Sequence, residues 1–185
     1  ALRVNEEAIA LAREIDHPFT LAYVLHHTGW FLLQCRLGAR LQEAAEEQIA
    51  ITSEQGFAFW HASAIFYKGA GLFQQGNVEA ALPLMEEGAQ AWEATGAELT
   101  MTYQFSTLCK AYTAAGRFED AHKALDRGLT LVAENEERCE EAELYRVKGE
   151  LLLAESSDQA AAESCFQQSL ETARRQAGKA WELRT

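Results

Sequence analysis

Two adjacent histidines, His26 and His27, share the chain with His61 and Cys35, and together they are the set that could ligate a metal ion. Consecutive residues of a helix project about 100° apart, so His26 and His27 cannot both turn toward one ion. They read as ordinary helix-face side chains. Acidic pairs at Glu46-Glu47, Glu86-Glu87, Glu136-Glu137 and Glu140-Glu141 could in principle do acid–base work. That work needs a water-excluding site that shifts a carboxyl pKa. The pairs fall on the polar stripes of amphipathic segments and are expected to be solvated. Gly69-Ala-Gly71 does not cradle phosphate, since no GxxxxGK[ST] occurs and the pair falls inside a helical pattern. No Ser/His/Asp or Cys/His set can be assembled. The expectation is no enzyme, with no catalytic, cofactor-binding or metal-ligating residues.

Stronger information lies in spacing. Gly29, Gly69 and Gly149 keep one phase of a 40-residue period, with Cys109 at the missing beat. Leu25, Ile65, Phe105 and Tyr145 precede them by four residues, and Leu32, Leu72, Tyr112 and Leu152 follow by three. A second register repeats Ala81-Met85-Gly88-Trp92 as Ala121-Leu125-Gly128-Val132. A fixed period of this length marks stacked supersecondary units, each burying its apolar face on its neighbours.

Those units must be helical. Ala, Leu, Glu and Gln are abundant, only Pro18 and Pro83 interrupt, and β-branched alternation is absent. The pattern predicts an orphan helix over 2–15, then helices near 18–37, 40–55, 58–75, 77–95, 98–115, 117–134, 138–155 and 158–177. Gly38, Gly56, Gly76, Gly96, Gly116 and Gly178 are placed to close helices in the left-handed conformation. Asn77 suits an N-cap, and Ser156 with Gln159 suits a capping box. Turns this short force antiparallel neighbours. The chain is expected to be a single array over 1–185, with repeats at about 18–56, 58–96, 98–136 and 138–178 and a further helix beginning in 179–185.

These pairs resemble the tetratricopeptide repeat. Ile65-x2-Lys68-Gly69-x2-Leu72 with Ala81, Met85 and Gly88 carries the likeness, as do Tyr145, Lys148, Gly149, Leu152, Ala162, Phe166 and Ser169. The period is longer than the family's usual one. Residues 141–153, 162–170 and 181–184, with Gln55-Gly-Phe-Ala-Phe-Trp60 and Thr95-Gly-Ala-Glu-Leu99, look like the C-terminal repeats of large bacterial signalling proteins. In those proteins the array follows a P-loop ATPase and a cyclase-like or winged-helix domain. The resemblance implies an all-α, right-handed solenoid of antiparallel helix pairs serving as a protein-interaction module, the scaffold or sensor tail of a regulator. A peptide or partner helix would lie in its concave groove. The alternative it implies is a small-ligand sensor controlling an attached ATPase or cyclase-like domain.

On such a pair the first helix lines the groove. Counting from the repeated glycine places Tyr23, His26, Trp30 and Leu33 there from the first repeat, and Phe66 and Phe73 from the second. Tyr103 and Lys110 follow from the third and Arg146 from the fourth. Trp30, Phe66, Phe73 and Tyr103 are the expected anchors, since aromatic side chains carry most interface energy. Lys110 and Arg146 are the expected selectors of partner charge.

The formal charge of −12, with cations scattered singly, argues against direct nucleic-acid binding. Apolar stretches are broken by charge before a membrane span is reached, and no signal peptide appears. Four cysteines 26 to 74 residues apart, without a CxxC pair, suit a reduced, cytoplasmic setting. The chain opens at Ala1 inside one helical pattern and closes at Thr185 as another begins. It is therefore expected to be a piece of a longer protein whose exposed ends self-associate.

Overall fold

The computed structural model describes residues 2–98 and 100–185. Leu99, in the helix expected from 98, and Ala1 lie outside the described residues. The described chain is all-helical, with α1 (Leu2–Ile15), α2 (Pro18–Gln34), α3 (Gly38–Gln55), α4 (Ala58–Gln74) and α5 (Val78–Ala94). Then come α6 (Met101–Ala114), α7 (Phe118–Asn135), α8 (Glu141–Ser156), α9 (Gln159–Arg175) and the short α10 (Lys179–Glu182). No helix among the described residues is long and apolar enough to cross a membrane.

The chain forms two compact units, Ala1–Ala97 and Glu98–Thr185. In the first, α2 packs on α1, α3 and α4, and α4 also packs on α3 and α5. Leu25, Leu41, Phe66, Tyr67, Met85 and Trp92 fill its core. In the second, α6 packs on α7 and α8, and α9 joins α8 to α10. Its core holds Met101, Leu125, Leu131, Leu144 and Leu151.

Glycine decides how close these helices come. A Cβ at Gly69 would stand 2.8 Å from the Ala81 carbonyl oxygen and 2.9 Å from Met85 N, so α4 meets α5 backbone to backbone. One at Gly71 would stand 2.9 Å from both Gln42 N and the Gly38 carbonyl oxygen. One at Gly88 would fall 2.5 Å from Phe66 N. The other repeated glycines receive rings: Tyr67 lies over Gly29, and Phe166 over Gly149.

Helix ends differ in places from the sequence expectation. Gly56, Gly76, Gly96 and Gly116 take positive φ as expected. Gly38 and Gly178 do not. The left-handed residues there are Arg36 (φ 55°) and Ala177 (φ 54°). Gly38 is instead committed to the α3–α4 crossing, where the backbone at Gly71 leaves no room for a Cβ. Asn77 caps α5, its side-chain oxygen accepting from Ala80 N at 3.3 Å. At α9 the cap is Asp158, accepting from Ala161 N at 3.0 Å, and Ser156 belongs to the end of α8. A short side chain directly before the helix outcompetes one two residues earlier. Pro83 sits inside α5 without breaking it.

The helix expected from 98 begins only at Met101, and the one expected from 138 begins at Glu141. One carboxylate accounts for the late start of α6. Glu137, in the loop after α7, accepts from Thr100 N at 2.6 Å and from the Thr102 hydroxyl. It satisfies donors at the α6 N-terminus, where negative charge is favoured.

Gly69→Leu should lower stability by about 1–3 kcal/mol or more, because the added side chain meets backbone atoms that cannot rotate away. A thermal melt of this variant that matches the parent would show that α4 and α5 do not cross at Gly69.

Candidate interaction surfaces

α2 contains no Asp, Glu, Lys or Arg in its 17 residues. Leu25, Thr28, Gly29, Leu32 and Leu33 turn into the unit, while Phe19, Tyr23 and Trp30 stay 46%, 47% and 41% exposed. The spacings of four and seven set these three rings on one stripe of the helix. The stripe is braced from α4. Trp60 meets Phe19 edge-on at 6.0 Å and Tyr23 edge-on at 5.7 Å, and Phe57 meets Phe19 at 5.7 Å. Such T-shaped contacts add to area burial and hold rings in fixed orientations.

Behind Trp60 lies a buried histidine. The His26 ring is 5.0 Å from Trp60, 5.6 Å from Tyr67 and 5.7 Å from Trp92, nearly parallel to the last. His26 Nδ1 is buried without a hydrogen-bond partner among the described residues. Burial, helped by the nearby His27, pushes the His26 pKa down to about 3, so the ring is neutral at pH 7. His27 turns elsewhere, its Nδ1 2.9 Å from the Tyr23 carbonyl oxygen. The two rings lie at 82° to each other.

The second unit places charge where the first places rings. Burial alone would raise the Glu143 pKa, but the Arg146 hydrogen bonds and the Lys110 and Arg146 charges outweigh it and hold the carboxyl at about 2. Arg146 Nε donates to Glu143 at 2.7 Å, Arg146 Nη1 to Glu150 at 2.5 Å, and Lys110 Nζ to Glu143 at 3.1 Å. Two cations and two anions balance, so this cluster is an anchor and not a proton source at neutral pH. Glu140 and Glu141, expected on a solvated stripe, are also buried. Arg175, Arg138 and Gln176 gather around Glu141, which explains how a carboxylate is tolerated there.

Of the nine residues counted onto a groove, Tyr23 and Trp30 are open, and Phe73 and Lys110 are half-buried. His26, Leu33, Phe66, Tyr103 and Arg146 are buried. Phe66 is fully enclosed, with its backbone against Gly88, and its ring is core rather than surface. Counting from the glycine fixes a helix phase but not how deeply each position is covered. Phe19 and Trp60 were missed. Phe19 carried a signal, standing four residues before Tyr23 in the same phase, whereas Trp60 lies outside the counted positions.

No protein-family model matches the chain, and no curated protein matches it. The repeat reading therefore stands on residue spacing and on the packing above.

Arg146→Met should cost about 3–5 kcal/mol, because it leaves Glu143 buried with Lys110 alone. Arg13→Ala, which removes an exposed pair with Glu47, should cost less than about 1 kcal/mol. Denaturant midpoints of both variants check the contrast. The His26 prediction concerns acid. Its folded pKa lies below the unfolded value near 6.5, so the unfolded chain binds the extra proton between pH 6.5 and about 3. Stability from this group is complete above 6.5 and falls by about 1.4 kcal/mol per pH unit below it. His26→Phe should remove that slope between pH 6.5 and 5; an unchanged slope would place the titration elsewhere.

Proposed function

We propose that the chain is a protein-interaction module, built as a right-handed solenoid of tetratricopeptide type from antiparallel helix pairs. It binds a helix or peptide of a partner against the aromatic stripe of α2. The observation that carries this reading is the stripe itself: three large rings, each more than two-fifths exposed, on a helix without a formal charge. Isolated exposed apolar residues are ordinary, but three rings on one face of a helix, two of them braced by Trp60, favour an interaction surface. Phe19, Tyr23 and Trp60 hold one another in place, so little ordering entropy is lost when a partner covers them. Repeated glycines at helix crossings and a 40-residue phase support the array. Self-association through the ends belongs to the same reading, on Leu11 and Ile15 of α1 and Leu183 after α10, all exposed.

The alternative, a small-ligand sensor, draws support from a separate feature, a cleft beneath α1 in the first unit.

A photoreactive side chain at Gln34, one turn beyond Trp30, should crosslink the partner in cells. With that partner in hand, Tyr23→Ala and Trp30→Ala should each weaken binding by about 2 kcal/mol while helical content stays constant. Phe66→Leu should act on stability instead. Normal binding by both aromatic variants would remove the α2 stripe as the functional surface.

A further inference from the structure

The stripe of α2 holds a fourth ring. His27 is exposed and stands one turn after Tyr23 and one turn before Trp30, on the same side of the helix. Its ring packs against that of Tyr23, with centroids 4.3 Å apart. His27 Nδ1 lies 2.9 Å from the Tyr23 carbonyl oxygen. A carbonyl oxygen only accepts, so Nδ1 carries the proton, and in the neutral ring the lone pair is on Nε2. The bond back to the helix also fixes the ring, with Nε2 on the edge remote from the backbone. Two exposed rings, Tyr23 and Trp30, thus flank a hydrogen-bond acceptor on a helix without formal charge.

We propose that the partner segment seats an arginine on His27, its guanidinium donating to Nε2 and lying against the Tyr23 and Trp30 rings. The assignment rests on the reading of the α2 stripe as the binding surface and names the chemistry that this surface selects. An acceptor calls for a donor. Aromatic faces attract cations, arginine most often. The first unit holds twelve carboxylates and five cationic side chains, and none of the five is on α2. Its field is therefore negative, and it draws in a cationic segment while repelling an anionic one. Arginine answers these demands with one group, because its planar guanidinium stacks on a ring through its face while donating through its edge. A lysine ammonium is a strongly hydrated point charge and does not stack.

The position of the arginine in the partner follows from the same geometry. Apolar residues about one turn to either side of it cover the Phe19–Tyr23 end and the Trp30 end of the stripe together. His26, one residue earlier, is enclosed by Trp60, Tyr67 and Trp92 and takes no part. Of the two adjacent histidines, only His27 is placed to meet a partner.

The test uses the whole chain and a stapled helical peptide with leucine one turn before and one turn after a central arginine. Its counterparts carry citrulline (the same shape without the charge), norleucine or glutamate at the centre. In the free chain at pH 8.5, proton–nitrogen correlation spectra of the imidazole should show His27 protonated at Nδ1. The arginine peptide, titrated to millimolar concentration, should shift the Tyr23, His27 and Trp30 ring resonances saturably. The citrulline peptide should bind about tenfold more weakly. His27→Phe, which keeps a ring at an exposed position, should weaken the arginine peptide about tenfold and leave the norleucine peptide unchanged. An Nε2–H tautomer in the free chain would overturn the proposal, as would undiminished binding of the arginine peptide to His27→Phe. No saturable shift with the arginine peptide, or binding of any counterpart as tight as its own, would also overturn it. The stripe as a binding surface stands or falls separately, on the partner captured through Gln34.

Discussion

The constraint on which the first unit depends is the absence of side chains at the crossings of α4. At Gly71 this helix lies against α3 with no room for a Cβ, and at Gly69 it lies equally close to α5. Gly88 returns the contact from α5 onto the Phe66 backbone. A helix held at backbone distance on two sides has little freedom to rotate, because interiors are close-packed and do not deform continuously. The rotation of α4 then decides which of its aromatic residues are core and which are surface. Phe66 and Tyr67 are driven inside, and Trp60, at the start of the helix, is left at the edge of α2.

From that edge Trp60 joins two environments. On one side it touches His26, which lies in the core with Tyr67 and Trp92. On the other it meets Phe19 and Tyr23, which are half open to water. A surface ring backed by a packed interior cannot swing aside, and this distinguishes a fixed patch from scattered exposed residues. The second unit fills a comparable need with charge. Glu143 and Arg146 are buried together, and their mutual attraction is needed to offset the removal of both from water. Such a cluster adds little net stability over an apolar core of the same shape. It does penalise any arrangement of α6 and α8 that separates Lys110 from Glu143.

The helices and the packing role of Gly69 were legible in the sequence because both arise from local periodicity. Helix propensity acts within a turn or two, and a glycine that recurs in one phase has a steric reason to do so. Burial was less legible. Phe66 and Trp30 stand near each other in the repeat count yet differ from 0% to 41% exposure. That difference is set by whether another helix covers the position, which depends on residues far away in the chain. Glu137 was misread for a related reason. A carboxylate in an acidic run reads as solvated until the helix whose N-terminus it caps, some 35 residues earlier, is placed beside it. Gly38 and Gly71 show the limit of turn rules, since a glycine beside a helix end served a crossing and left the strained conformation to Arg36.

α2 is common to the aromatic stripe and to the cleft under α1, and the two use opposite sides of it. Leu25, Thr28 and Leu32 face the cleft, whereas Phe19, Tyr23 and Trp30 project about half a helical turn away. Any influence of one on the other must pass through the position of α2 itself, and that position is held by Tyr67 of α4, whose ring packs over Gly29. Gly29 lies on the buried side, between the stripe and the cleft, so a shift of α2 along or about its axis would meet that ring first. That close contact limits how far α2 can move against α4 and ties the placement of the stripe to the packing of Tyr67.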